Sequence, residues 1–269
     1  MEQLAKLKND WESLAQRDAL WAILTDSAKV ERKWDVAEFM ATGLAEIETV
    51  MHYVAGLGLH PDSGGAALDF GCGVGRLTQP LASRFLSCTG VDISQKMIDE
   101  AEALNHNSDC RFLMSAEQRL LFADGSFAFI YSNIVLQHMR AELARKYLQE
   151  FVRVLADGGV LVFGVQECFR VTDFSTWMDR VRQVVRVRSR VREMLGRGRG
   201  EIEMHCLPEL DVRRALGGAK VVDVQWTNSA AKDFNGRLTY LPSAPKAGYV
   251  SKQYCVVKGD ASFSVATNV

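Results

Sequence analysis

A doubly wound α/β fold around a mostly parallel, seven-stranded sheet is encoded by this chain of 269 residues, and three observations carry that expectation. From Ala66 onward, short apolar runs alternate with amphipathic stretches, the pattern of strands joined by covering helices. A glycine-rich turn from Gly71 to Gly75 follows the first apolar run and precedes a helical stretch, where doubly wound folds bind their ligands. The chain is long enough to bury a full α/β core, and 48% hydrophobic with 24% charged residues excludes a disordered or fibrous chain.

The elements follow in order. Residues 1–60 read as an N-terminal helical extension, with Leu4, Leu7, Trp11, Leu14 and Ala15 on one face and a second helical stretch from Val36 to Leu57. Strand 1 is expected at Ala66 to Phe70, strand 2 at Cys88 to Asp92, strand 3 at Cys110 to Met114, strand 4 at Phe127 to Ser132 and strand 5 at Val160 to Val165. Between strands 2 and 3, Ser94 is placed to cap a helix that carries Met97, Ile98, Ala101 and Leu104 at helical spacing toward the sheet. The alternation then breaks, and residues 167–204 form a helical cap insertion after strand 5. The core, 61–166, resumes over 205–259 with a helix near Pro208 to Leu216 and strands at Val221 to Thr227 and Tyr249 to Lys258; residues 260–269 are a tail.

Charge excludes some partners. With 32 basic and 33 acidic residues the net charge is −1, so no global field draws the protein to nucleic acid or anionic lipid. No stretch reaches membrane-spanning length, and Glu2, Lys6, Lys8, Asp10 and Glu12 stand where a signal peptide needs apolar residues. Six cysteines lie far apart without a C-x-x-C pair, which fits a reducing compartment and a cytoplasmic location.

The turn carries the chemistry. Gly71, Gly73 and Gly75 let the backbone approach a ligand where a Cβ would clash. A nicotinamide loop reads G-x-G-x-x-G and holds an anionic pyrophosphate; here the third glycine comes one residue early. Asp69, two residues before the first glycine, would repel a pyrophosphate and suits a ligand with an ammonium and a sulfonium. Asp92 ends strand 2, 23 residues beyond Asp69, where a carboxylate accepts hydrogen bonds from two ribose hydroxyls.

Leu68-Asp69-Phe70-Gly71-Cys72-Gly73-Val74-Gly75 and Gly90-Val91-Asp92-Ile93-Ser94 together resemble the first two motifs of class I S-adenosylmethionine-dependent methyltransferases of the small-molecule type. Ser115-Ala116-Glu117 resembles that family's adenine-contacting turn, Phe122 to Phe127 its segment entering strand 4, and Phe151 to Gly159 its helix leading into strand 5. The match covers about residues 64 to 166 and implies a Rossmann-like methyltransferase fold with S-adenosylmethionine as cofactor. It further implies cofactor contacts from Asp69, Gly71, Gly73, Gly75, Asp92, Ile93, Ser115, Ala116, Glu117 and Asn133. Many relatives carry an aspartate where Ser115 stands, so the adenine amino group falls to Ser115, to backbone or to Glu117. Ala128 likewise replaces a frequent aspartate.

The acceptor end is read from fewer signals. His138, just past strand 4, is the candidate general base for a hydroxyl acceptor, on a sugar or natural product; capping a helix or bonding a carbonyl is its structural alternative. Glu203 and His205 are candidate substrate contacts or, equally, a polar linker; with His138 they lack a spacing that specifies a metal site. Trp34 to Gly43 resembles the helical lid of small-molecule members, which brings Trp34 and Gly43 to the cofactor, although packing in the core is the common fate of such residues. Arg180, Arg182, Arg186, Arg188, Arg190, Arg192, Arg197 and Arg199 crowd the cap as a solvated helix face or a surface for an acidic acceptor. N-, C- or carboxyl-methylation and a non-catalytic partner subunit are the rival functions.

Overall fold

The computed structural model describes residues 2–172, 177–178, 181, 203–231 and 234–259. Two helices lead: α1, Glu2–Ile23, and α2, Val36–Gly56. Helix α1 breaks at Asp18, whose backbone is extended and whose carboxylate accepts the Trp21 N–H at 3.1 Å, capping the turn that resumes after it. Asp35 caps α2 in the same way through the Glu38 N–H.

The alternating unit then follows as β1 (Ala66–Phe70), α3 (Thr78–Ala82), β2 (Ser87–Asp92), α4 (Gln95–Ala103), β3 (Cys110–Met114), β4 (Phe127–Ser132), α5 (Ala141–Val154) and β5 (Leu155–Arg170). After the insertion come α6 (Glu209–Leu216), β6 (Lys220–Thr227), β7 (Tyr240–Leu241) and β8 (Gly248–Val257). The seven expected strands are joined by the two-residue β7, giving one eight-stranded sheet in the order β3-β2-β1-β4-β5-β8-β6-β7. Strands β1 to β5 pair in parallel, and β8 inserts antiparallel between β5 and β6. Strand β5 runs on to Arg170, past the expected Val165, because β8 pairs with it to the end.

Strand alternation sorts the core into two faces. Leu68, Phe70, Ile130 and Phe163 face α5 and α6, where Tyr147, Phe151 and Val212 pack; Ala67, Phe129 and Val162 face Ile47 and Val50 of α2 and Leu81 of α3. A third cluster is formed by Leu14 and Ala22 of α1 with Trp34, Phe39, Val74 and Met97, and it covers the glycine turn. Between β1 and β4 the strand order reverses, so the carboxyl ends of β1, β2 and β4 open a crevice at the switch point. Among the described residues no helix is long and apolar enough to cross a membrane. The eight arginines of the cap lie outside the described residues.

Candidate active site

The turn after β1 is held by backbone. Gly71 and Cys72 both donate to the Val91 carbonyl of β2, at 2.7 and 3.0 Å, which pins the turn to the neighbouring strand. Gly71 and Gly73 have φ of 77° and 52°. A Cβ on Gly71 would stand 2.3 Å from Val135 Cγ2, and one on Gly73 would stand 2.4 Å from Ile23 Cδ1, so only glycine lets those side chains close over the turn. The Asp92 carboxylate is positioned by the same backbone: Oδ2 accepts the Gly73 N–H and Oδ1 the Ser94 N–H, each at 2.9 Å. Each oxygen keeps a lone pair for a further donor. Burial raises the Asp92 pKa, and the backbone donors oppose the rise.

A cavity of about 320 Å³ opens over this turn. Gly71, Gly73, Asp92, Ile93 and Ser115 line it where β1, β2 and β3 end; Trp11, Gln137, His138, Met139, Tyr147 and Met204 line it beyond β4. Its volume falls in the range of small-molecule sites, and its lining is largely apolar with few polar groups. Ile134, also in the lining, has φ 55°, a left-handed backbone that strains a β-branched residue. Asn133 holds that turn, its Oδ1 accepting the Ile134 N–H.

Beneath the cavity lies a buried ion pair that sequence reasoning missed. Glu46 of α2, fully buried, accepts Arg76 Nη2, the Tyr131 hydroxyl and Asn133 Nδ2, all at 2.8 Å. One helix thereby ties the exit of the glycine turn to the end of β4. The signal was present, since Glu46 falls on the apolar stripe of Phe39, Gly43, Val50 and Val54 at helical spacing.

Several expected contacts are placed elsewhere. Asp69 is 1% exposed and absent from the cavity lining; Thr78 donates to its Oδ2 at 2.7 Å, its Oδ1 has no partner among the described residues, and burial pushes its carboxyl up to about 7. Its side chain braces the turn through Thr78. Gly75 packs against the Phe112 ring, and Gly43 packs so close to the turn that a Cβ would stand 2.0 Å from the Arg76 carbonyl. Trp34 is core: its indole N–H donates to the Leu24 carbonyl at 3.1 Å and its ring meets Phe39 edge-on. Asn133 is bound to Glu46, and Ala116 and Glu117 stand outside the lining; the Glu117 carbonyl accepts the Tyr147 hydroxyl at 2.7 Å.

The cover over the cavity is α1 and not the 34–43 segment. Trp11, Ala22 and Ile23 face inward, and Glu12 accepts the Ser94 hydroxyl at 2.7 Å and the Lys96 N–H at 3.3 Å, fastening α1 to the start of α4. Trp11 carried no mark in the sequence beyond its place on an apolar face.

His138 sits on a short 3-10 turn, Leu136–His138, with its ring edge-on to Trp11 at 5.3 Å. Nδ1 lies 3.1 Å from the Glu203 carbonyl and Nε2 lies 3.2 Å from Gln137 Nε2. Burial lowers its pKa to about 4, so the ring is neutral near pH 7. Glu203 and His205 meet at 3.4 Å and line a second cavity of about 390 Å³ that shares Leu7, Trp11 and His138 with the first. Lys6 lies 3.4 Å from Glu203, and the His205 N–H donates to the Gln137 carbonyl at 2.7 Å. Among the described residues no three His, Cys, Asp or Glu side chains are grouped to hold a metal ion.

Comparison with known proteins agrees with this architecture. Residues 68–163 match the family described as a methyltransferase domain. A malonyl-[acyl-carrier protein] O-methyltransferase of Erwinia billingiae is 34% identical over 100 residues, 37% of this chain and 38% of that one. Phosphoethanolamine N-methyltransferase 3 of Arabidopsis thaliana is 31% identical over 118 residues, 41% of this chain and 23% of that one. The chain thus spans well under half the length of these curated relatives. The solved magnesium protoporphyrin IX methyltransferase of Synechocystis PCC 6803 with bound S-adenosylhomocysteine shares the fold, with a TM-score of 0.58 at 17% identity over 95% of this chain and 99% of that one.

Proposed function

We propose that the chain, whose residues 68–163 match a methyltransferase domain, is a class I enzyme that transfers a methyl group from S-adenosylmethionine to a small-molecule acceptor. One observation carries the cofactor reading: the Asp92 carboxylate, fixed by the Gly73 and Ser94 N–H groups, lines the cavity with lone pairs to spare. Two ribose hydroxyls are suitable donors to it, and the third glycine, one residue early, departs from the pyrophosphate-binding spacing. Ile93 and Met97 supply apolar surface beside it for a planar base, and Ser115 a hydroxyl. The cofactor supplies an electrophilic methyl group on a sulfonium; the protein has to align the acceptor with it and exclude water. Trp11, Ile23 and Phe234 line the cavity and serve the second task.

Thermal-shift measurements with S-adenosylmethionine, S-adenosylhomocysteine and NAD test this, since a specific ligand stabilises the folded state by mass action. The two adenosyl ligands are expected to raise the melting temperature, and stabilisation by NAD alone overturns the proposal.

For the acceptor, a hydroxyl on a sugar or natural product with His138 as general base is the first reading, because His138 is neutral and lines both cavities. The apolar lining of Trp11, Met139 and Met204 favours an acceptor with an apolar body. Glu203 and His205 would hold its polar groups from the second cavity. Replacing His138 by Ala is then expected to slow turnover by about a hundred- to ten-thousand-fold with little change in cofactor affinity.

The depressed pKa of His138 supports a second reading. A base of pKa about 4 is a weak proton acceptor, and an amine or an ionised carboxylate needs none. The two relatives above are named for transfer to oxygen and to nitrogen, so the shared domain does not choose. Turnover by His138→Ala within threefold of the parent excludes the base and leaves the second reading.

A further inference from the structure

Gln166 is buried on β5, 1% exposed, and does not line the cavity. Its Nε2 donates to Gln137 Oε1 at 2.5 Å, and Gln137 Nε2 lies 3.2 Å from His138 Nε2. We infer that Gln166 is a positioning residue that, through Gln137, fixes the proton on His138 to Nδ1 and keeps Nε2 unprotonated as an acceptor of the Gln137 N–H.

The argument runs on donor and acceptor counts. A primary amide accepts at oxygen and donates at nitrogen. With its oxygen engaged by Gln166, Gln137 has only its NH₂ group to turn toward His138, so Nε2 faces a donor and has to be the unprotonated nitrogen. On the other side of the ring the Glu203 carbonyl can only accept, so Nδ1 has to carry the hydrogen. Gln137 and Glu203 select the same neutral tautomer, while the Ile134 carbonyl is a further acceptor beside the ring that competes for its one hydrogen. Burial independently disfavours the imidazolium, which would place an N–H against the Gln137 NH₂.

The arrangement also stores an alternative. Among the described residues, Gln166 Oε1 is buried without a partner. Were Gln166 an acceptor toward Gln137, the Gln137 amide would turn over, its oxygen would face Nε2, and His138 would have to protonate that nitrogen. The native amide order thus keeps Nε2 unprotonated on a residue that lines the cavity, and an acceptor hydroxyl would have to displace the Gln137 N–H to reach it. That last consequence rests on His138 being the base; the tautomer does not.

The test is NMR of the full chain with ¹⁵N-labelled histidine, in parent protein and in Gln166→Glu and Gln166→Leu. The parent His138 is expected as the Nδ1–H tautomer throughout pH 6–8. Gln166→Glu, which offers Gln137 only acceptors, is expected to protonate Nε2 and to move the His138 midpoint above the ordinary value of about 6.5. Gln166→Leu removes the donor without adding an acceptor and is expected to leave a mixture of tautomers. The remaining charged groups near the ring, Glu203, His205, Lys6, Asp10, Arg140, Glu142 and Lys146 on the second cavity and Asp92 on the first, are the same in all three proteins. An Nε2–H tautomer in the parent overturns the inference, as does a Gln166→Glu spectrum equal to the parent's. Turnover of His138→Ala decides the base separately, so either conclusion can fail alone.

Discussion

At one end of the cavity the ligand-facing groups are set by backbone. The Val91 carbonyl holds the glycine turn, and the Gly73 and Ser94 N–H groups hold Asp92. Past β4 the facing groups are side chains drawn from separate parts of the chain: Trp11 from α1, Gln137 and His138 from the turn after β4, Met204 from the far side of the insertion, and Phe234 from the loop after β6. The first end is a consequence of the strand-turn-helix unit and leaves little to vary. The second is assembled from several elements, and on a shared scaffold such a site is where function varies.

The largest expected effect falls on the framework that joins the two ends. Replacing Glu46 by Ala strands the buried Arg76 guanidinium together with the Tyr131 and Asn133 donors, and is expected to lower unfolding free energy by about 3–5 kcal/mol. Chemical denaturation measures it; a loss under about 1 kcal/mol would mean the two ends are joined by something else. Asp92→Asn acts on the cofactor end alone. Losing a charged acceptor of about 1.5–3 kcal/mol should weaken S-adenosylmethionine binding by about 10- to 100-fold in calorimetry, while occupancy of the acceptor end is unchanged.

The ends also differ in their response to pH. Asp69, under the cofactor end, has a folded pKa of about 7, above its unfolded value of about 3.9, so the folded state holds the extra proton and stability falls as pH rises from 4 to 7. His138 has a folded pKa of about 4, below its unfolded value of about 6.5, so stability falls in the other direction, as pH drops from 6.5 to 4. The two slopes oppose each other in the parent. Asp69→Asn should make stability rise more steeply with pH across this window and His138→Gln should make it fall; equal slopes in all three proteins break the comparison. The smallest effect belongs to the cover. Glu12→Ala removes one acceptor of about 0.5–1.5 kcal/mol and should speed release of S-adenosylhomocysteine about two- to tenfold by stopped-flow.

The glycine turn was legible because its information is local. Gly71 and Gly73, Asp92 and the Ser94 cap are fixed by neighbours within one turn or strand, while Gly75 packs against Phe112 and does not line the cavity. The position of Asp69 in the motif says nothing of which way its carboxylate points, and its bond from Thr78 had no signal in the sequence. The lining past β4 was not legible as a whole, because amphipathic periodicity shows that α1 buries a face without showing against what. Trp11 meets His138 across 127 residues of chain. The pair Gln137 and Gln166 likewise needs β4 and β5 side by side, which only the sheet order supplies. The strand β7 was missed because two residues carry no periodicity.

Cys72 lies inside the glycine turn, 5% exposed, its thiol directed at the Gly73 carbonyl and pushed by burial well above the ordinary cysteine range. In the closed protein it is therefore shielded and almost never a thiolate, the form that reacts. Its alkylation rate, read on its own peptide by mass spectrometry, becomes a clock for how often the turn opens, since reaction requires the open state and is slowed by the fraction of time spent there. A ligand that closes over the turn should stop that clock, which gives the native chain a built-in reporter of occupancy needing no acceptor and no label.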